Sequence, residues 1–385
     1  MRILFVAMAH SIHTARWIAQ LRGRGWDLHL FPVERAPLHP GLADLTIHDA
    51  FGGDAAALPA STRVVRAPEP ADGAPADAAG RLAATLRDLR PDVVHSLELL
   101  KAGHLVWQAS GRLAGARPPW IATNWGSETA LLARFPQYAE PLRDVLAACD
   151  YYTCECQRDV ELARAHGLRG EVLAVVPNGG GFDLEALCAL RPAGPPSERR
   201  TVLLKGYQGW AGRALVGLRA LERVAECLEG YRIVIYSADA DVALAARLAS
   251  QDTGLPIDVA SERSHDEMLG LHGHARVSIG LSLSDGISTS LLEAMVMGSF
   301  PIQSTSSCAR EWMADGVNAL FVHPNDPDAA ADAVRRALTD DRLVDHADEL
   351  NQRLARERFD IARLSSQAAA LYERAAVRAA SGTGA

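Results

Sequence analysis

Ser282-Leu283-Ser284-Asp285-Gly286-Ile287-Ser288-Thr289-Ser290-Leu291-Leu292-Glu293-Ala294-Met295-Val296-Met297-Gly298 decides how this 385-residue chain is read. The apolar run Val277 to Leu283 has the pattern of a strand, and Leu291 to Met297 that of a helix. Gly286 and small polar residues form the turn between them. Such a turn leaves backbone N–H groups at the helix start without internal partners, and these attract phosphate. Asp285 stands before the turn and Glu293 lies on the helix after it. Each carboxylate can accept hydrogen bonds from neutral sugar hydroxyls. Phosphate-binding amides between two hydroxyl-binding carboxylates point to a nucleotide-sugar site. Two plainer readings compete: Asp285 as a helix cap and Glu293 as a solvated helix residue. The cap leaves Glu293 unexplained, and Leu291, Leu292, Ala294 and Met295 leave Glu293 no exposed stripe.

Outward from this turn, strands and helices alternate in both directions. Thr201–Leu204, Arg232–Tyr236, Ile257–Ala260, Phe300–Gln303 and Leu320–Val322 read as further strands of the same half. The other half offers Ile3–Met8, Leu28–Val33, Arg63–Ala67, Val93–Leu97, Trp120–Asn124, Tyr151–Cys154 and Val172–Val176. Helix-period segments such as Thr14–Arg24 and Ala78–Leu89 separate them. Continuous apolar strands joined by helices predict parallel sheets covered on both faces. The expected division is a domain over 1–185, a Pro- and Gly-rich linker over 186–200 and a second domain over 201–360. A C-terminal helix over 361–379 and a flexible tail over 380–385 follow. Two doubly wound α/β domains place a ligand at the carboxyl ends of their strands, in a cleft between the sheets.

Several polar segments follow strands as that rule requires. Met8-Ala9-His10-Ser11-Ile12-His13 follows the first strand, and His95-Ser96-Leu97-Glu98 ends a later one. Asn124-Trp125-Gly126-Ser127-Glu128 follows another. His10, His13, His95, Asn124, Trp125 and Glu128 are the candidates on the acceptor side, with core packing or a helix start as the plainer reading. Lys205-Gly206-Tyr207-Gln208-Gly209-Trp210-Ala211-Gly212-Arg213 follows the first strand of the second half, and its glycines and cations suit a diphosphate. Lys205 is one of only two lysines, with Lys101, in a chain otherwise rich in arginine. A compact ammonium enters tight phosphate sites that exclude a planar guanidinium.

Composition narrows the class. Hydrophobic residues at 48% and charged residues at 22% match a globular enzyme. A net charge of -8 argues against a nucleic-acid partner, which selects for a basic face. No apolar run reaches the roughly 18 residues of a membrane span. Met1–Met8 is read as a buried first strand instead of a signal segment. Six cysteines show no zinc spacing and are expected to be reduced packing residues of a cytoplasmic protein. No metal and no cofactor is called for.

Asp285-x7-Glu293, continued by Ala294-Met295-x2-Gly298-x2-Pro301, resembles the E-x7-E signature of retaining GT-B glycosyltransferases of the large family-four group. Val176-Pro177-Asn178-Gly179 resembles the P-N-G that closes their N-terminal domain, and Asp315-Gly316-Val317-Asn318-Ala319-Leu320 their later D-G-x-N-G-x-L. Pro324-Asn325-Asp326 resembles the segment before a C-terminal helix. The match runs in order over nearly the whole chain. His10 to Trp17 and Trp125-Gly126-Ser127 look like a subgroup found in bacterial surface-polysaccharide clusters.

The resemblance implies a GT-B fold of two Rossmann-like domains facing a central cleft, with the C-terminal helix packing back on the first domain. It implies a retaining, metal-independent hexosyltransferase using a nucleoside diphosphate sugar, UDP-sugar being the commonest donor. Glu293 would bind the ribose and Asp285 the donor sugar. Gly206 and the backbone of Gly286, Ile287, Ser288 and Thr289 would line the donor, and Lys205 with Arg213 would clamp the diphosphate. A front-face mechanism is implied, in which the leaving phosphate takes the acceptor proton. Three departures stand out. Asp285 replaces a glutamate, Lys205 precedes Arg213 where the family places Arg before Lys, and Trp125 stands where many members carry histidine. The role of that histidine passes to Asn124, Glu128 or His95, or is vacant. The implied acceptor is a saccharide, a lipid-linked saccharide or a small molecule, with at most peripheral contact at the inner membrane face. A sugar-nucleotide epimerase or hydrolase, and a non-catalytic sugar-nucleotide-binding protein, are the competing functions.

Overall fold

The computed structural model describes residues 1–55, 57–70, 75–261 and 264–382, with side chains as far as 377. They form two compact units, Met1–Gly181 with Ile361–Ala385, and Phe182–Asp360.

The first unit holds β1 (Arg2–Ala7), β2 (Asp27–Pro32), β3 (Thr46–Asp49), β4 (Arg63–Arg66), β5 (Val93–Leu97), β6 (Trp120–Thr123), β7 (Tyr151–Cys154) and β8 (Glu171–Val175). They make one parallel sheet in the order β4-β3-β2-β1-β5-β6-β7-β8. Alternate residues of β1 serve the two faces. Leu4 and Val6 pack with Leu82 and Leu86 of helix Ala78–Leu89 on one side. Ile3 and Phe5 pack with Trp17, Ile18 and Tyr372 on the other. Tyr372 comes from the last helix, Ile361–Gly382, whose Ala368, Leu371, Tyr372 and Ala375 form one buried stripe. Of the expected tail 380–385, residues 380–382 continue that helix and 383–385 lie outside the described residues. Strand β3 has no counterpart in the sequence reading, because four residues ending in His48-Asp49 carry too little apolar pattern.

The second unit holds β9 (Thr201–Lys205), β10 (Arg232–Tyr236), β11 (Ile257–Val259), β12 (Val277–Gly280), β13 (Phe300–Ser304) and β14 (Leu320–Val322). The sheet is parallel throughout, in the order β11-β10-β9-β12-β13-β14. In each sheet the strand order reverses beside its first strand, at β1/β5 and at β9/β12. Open α/β sheets bind ligands outside the carboxyl ends of such pairs.

Two expectations need correction. Residues 186–200, expected as a linker, fall within the second unit, where they hold the end of helix Leu184–Leu190 and a 3-10 turn at Pro196–Glu198. Ser197 donates to Asp345 and the buried Arg199 donates to the carbonyls of Ala275 and Met297. The strand expected over Val277–Leu283 ends at Gly280. Leu281 and Leu283 turn instead to the loop after β9, where the Arg213 N–H donates to Leu281 and the Leu283 N–H to Ala211.

Cys149 and Cys154 are buried free thiols, whereas Cys188 is free and exposed. Among the described residues no helix is long and apolar enough to cross a membrane.

Candidate functional site

At the reversal point of the second sheet, β9 delivers Lys205 and the chain turns at once. Only glycine fits at 206, since a Cβ would lie 2.5 Å from the Ala238 Cα and 2.8 Å from the Tyr236 carbonyl. At 212 a Cβ would fall on the Tyr207 carbonyl. The two glycines fold the loop onto itself, and an antiparallel bridge between Gly212 and Ser282 fastens it to the segment after β12. The Lys205 ammonium donates to the Ser288 hydroxyl at 3.2 Å and stands 4.6 Å from the centre of the Tyr207 ring. Among the described residues no carboxylate lies within ion-pair distance of it. Its partners are a neutral hydroxyl and a π face, which orient a cation without cancelling its charge. Arg213 is used differently. Its Nε donates to Asn325 at 2.9 Å and its Nη1 to the Gly209 and Gly212 carbonyls, so the side chain braces the loop.

The turn after β12 supplies the opposite wall. Its N-cap is Ser288, not Asp285, and helix Thr289–Met297 has no side-chain cap. The Ser288 hydroxyl is engaged by Lys205 and by Ser290 at 2.7 Å, and Ser290 in turn hydrogen-bonds the Tyr236 phenol. Burial pushes that phenol up, which keeps it protonated. The first-turn amides of Thr289 and Ser290 thus start a helix beside a lone ammonium, an arrangement that favours an anion. Gly286 and Ile287 are buried and anchor the turn, whereas Asp285, Ser288 and Thr289 are half-buried along it.

Glu293 lies in the second turn of the helix and is only 7% exposed. Its Oε1 is 3.0 Å from Nε2 of His265, and its Oε2 is 3.8 Å from Nε2 of His272. Both histidines belong to helix His265–His274, two turns apart on one face. His265 opens that helix after a capping box between Ser264 and Glu267. His272 is fully buried, and burial lowers its pKa to about 4, so it is neutral at pH 7. The structure therefore brings Lys205, Gly206, Arg213, Gly286, Ile287, Ser288, Thr289 and Glu293 together at one sheet end, with Asp285 before the turn. His265, His272, Ser290, Tyr236 and Asn325 complete the cluster without having been singled out. The seven-residue spacing of His265 and His272 was the available signal, but its meaning depends on a partner from another helix.

The first unit assigns its polar residues other work. His95 is fully buried: Nδ1 meets the Tyr372 hydroxyl at 2.6 Å, Nε2 meets the Thr123 hydroxyl at 2.6 Å, and Trp17 donates to Tyr372 at 2.7 Å. Burial lowers its pKa to about 3. With both ring nitrogens engaged in the core, His95 has no atom for an acceptor, and that assignment is corrected. Asn124 is also fully buried and donates to Thr129 and to the Tyr152 hydroxyl while accepting from the Gly126 N–H. Asn178 of the Pro-Asn-Gly segment donates to the Asn124 carbonyl at 2.8 Å. Asn124 therefore shapes its loop and does not offer its amide to a substrate. Glu128 is buried and accepts from the Trp125 N–H at 3.0 Å. Beside it, Glu98 adopts φ 97°, a backbone cost that accompanies three bonds from the Leu100, Lys101 and Ala102 amides to its carboxylate. Burial raises the pKa of both acids, and the nearby Glu98 charge raises Glu128 further. His13 and Trp125 do come together, their ring centres 5.4 Å apart edge to face. His10 is exposed, with Nδ1 at 3.9 Å from Glu34, which also binds Lys101 at 2.8 Å.

Comparisons with known proteins agree with this division. Residues 10–179 match the glycosyl transferase 4-like domain, and residues 208–340 match glycosyl transferases group 1. Each match falls within one of the two units. Among solved structures, sucrose-phosphate synthase from Thermosynechococcus elongatus is similar at TM-score 0.72 and 14% identity, over 97% of this chain and 98% of that one. HepE of Anabaena in complex with UDP-glucose is similar at TM-score 0.70 and 16% identity, over 97% and 100%. The lipopolysaccharide outer core galactosyltransferase WaaB, in its apo form, follows at 0.66 and 13%, over 95% and 98%. No curated protein sequence matches. Two parallel sheets wound with helices, carrying these domains in this order, define a GT-B enzyme. The chain belongs to the group 1 glycosyltransferases.

Proposed function

We propose that this enzyme is a retaining, metal-independent hexosyltransferase that takes a UDP-sugar and delivers the sugar to a hydroxyl of a saccharide or small molecule. The observation that carries the donor half is Lys205: an ammonium oriented by Ser288 and Tyr207, without a carboxylate counter-ion among the described residues, beside a helix start that no side chain caps. That combination suits a diphosphate. Arg213 adds Nη2, its other nitrogens being tied to the loop and Asn325. Together the two cations supply the positive charge that a departing diphosphate needs, which is the support for metal independence. Glu293 is the ribose acceptor and Asp285 receives sugar hydroxyls, each charge-assisted bond contributing about 1.5–3 kcal/mol. The complex of HepE with UDP-glucose supports a uridine donor, and the likeness to WaaB supports a saccharide acceptor.

In the proposed step the bond from the anomeric carbon to the diphosphate breaks, and the acceptor oxygen bonds the same face. The acceptor proton passes to the departing phosphate oxygen. A panel of sugar nucleotides with and without acceptor extracts, in buffer containing EDTA, tests this. The expected result is diphosphate release that requires both a UDP-sugar and an acceptor, with the anomeric configuration kept in the product. Release without acceptor indicates a hydrolase or epimerase. Tight UDP binding with no release under any condition indicates a binding protein.

A further inference from the structure

Buried imidazoles in a folded protein normally use both ring nitrogens. His272 uses one. Its Nδ1 lies 3.0 Å from the Ser278 hydroxyl, which lies 2.7 Å from the Ser299 hydroxyl. Its Nε2 is buried and has no hydrogen-bond partner, although Glu293 Oε2 is only 3.8 Å away. The tautomer follows from these neighbours. A neutral ring carries one N–H, and a lone pair on Nε2 would point at a carboxylate. The proton therefore sits on Nε2, and Nδ1 accepts from Ser278, which accepts from Ser299. A buried N–H just beyond bonding distance of a carboxylate is a donor waiting for a small movement. Leaving such a donor unmade is costly, so any event that draws Glu293 toward it is favoured.

We infer that His272 is a positioning residue for the donor: it captures the Glu293 carboxylate when the ribose hydroxyls engage it, and so makes donor affinity depend on those hydroxyls. The inference rests on the donor reading given above. Three features support this role. His272 packs against Tyr236 with ring centres 5.8 Å apart, and Tyr236 hydrogen-bonds the Ser290 hydroxyl that leads through Ser288 to Lys205. One wall thus backs both the carboxylate and the ammonium. His265, by contrast, is partly exposed and already bonds Oε1, so it holds one oxygen. The two histidines divide the carboxylate between a standing contact and a latent one.

The test is a set of dissociation constants, by calorimetry on the full chain, for UDP, 2′,3′-dideoxyuridine diphosphate and inorganic pyrophosphate. Wild type is expected to prefer UDP over the dideoxy analogue by about tenfold or more, the scale of a bond to a charged group. His272→Leu is expected to shrink that preference to within about twofold while pyrophosphate affinity stays unchanged. His272→Gln, which keeps an N–H near the place of Nε2, restores most of the preference. Should His272→Leu not fold, His272→Asn retains the Ser278 contact but not the reach to Glu293, and its preference is expected to collapse likewise. A folded leucine or asparagine variant with the wild-type preference overturns the role of His272 and leaves the donor reading standing. Parallel loss of pyrophosphate binding overturns it too, since that marks general damage to the wall. Wild type that binds no UDP, or does not prefer it over the dideoxy analogue, overturns the donor reading and this inference with it.

Discussion

At the carboxyl end of β5, Glu98 turns its carboxylate onto three amides of its own chain, and the neighbouring Lys101 is neutralised by Glu34. At the carboxyl end of β9, Lys205 has, among the described residues, a hydroxyl and an aromatic face for company and no carboxylate. The two sheets reverse order beside their first strands in the same way, yet their loops do opposite things. In the first unit the polar groups satisfy one another and build a stable loop. In the second, charge is oriented but not cancelled. Topology selects where a site forms, and the leftover charge singles out the sheet end proposed for the diphosphate.

The chain's two lysines test this contrast most directly. Lys205→Ala is expected to lower diphosphate release by about a hundredfold or more, the scale for losing a charge aimed at the leaving group. Lys101→Ala is expected to stay within about twofold, because an exposed pair contributes little. Equal losses in steady-state rates would break the comparison. Glu293→Ala sharpens it within the second unit. Donor KM should rise about tenfold or more and turnover should fall, with circular dichroism unchanged. Unchanged kinetics would remove Glu293 from the site.

His95→Leu probes the other side. It removes one bond from each of the Tyr372 and Thr123 hydroxyls, which keep only Trp17 and Thr153, so unfolding free energy should fall by about 1–3 kcal/mol in a urea titration. UDP affinity should not move, and a selective loss of it would return His95 to the functional residues.

The proposed donor turn was readable in the sequence because its chemistry is local: glycine, small hydroxyls, one acid before the turn and one on the helix after it. The first unit was harder, since a polar residue ending a strand looks the same whether it faces ligand or core. What decides His95 is Tyr372, 277 residues further on in the chain. Likewise His272 gains meaning only from Glu293, on a helix that packs beside its own. The 186–200 segment misled for a related reason. Its Pro and Gly mark irregular backbone, but Ser197 and Arg199 fasten that backbone to the second unit. Strand β3 was lost to brevity alone.

The acid pair of the first unit affects pH dependence alone, and the sign of that effect follows from burial. Glu128 titrates above the ordinary glutamate value of 4.5 because it is buried and close to Glu98. A carboxyl with a raised folded-state pKa holds its proton more tightly when folded. Its contribution is therefore complete below the unfolded value and is lost as pH rises through the folded one. One such proton changes stability by at most about 1.4 kcal/mol per pH unit. Glu128→Gln keeps the shape of the acid and an acceptor for the Trp125 N–H, but cannot ionise. Relative to wild type, the glutamine variant should gain stability as pH rises from about 4.5. Below that value the two proteins should melt alike. Denaturant titrations across the range measure the difference, and parallel pH profiles would mean that Glu128 is ionised in the folded protein. In that case the first unit too would hold an uncancelled charge, and the contrast between the two sheet ends would narrow.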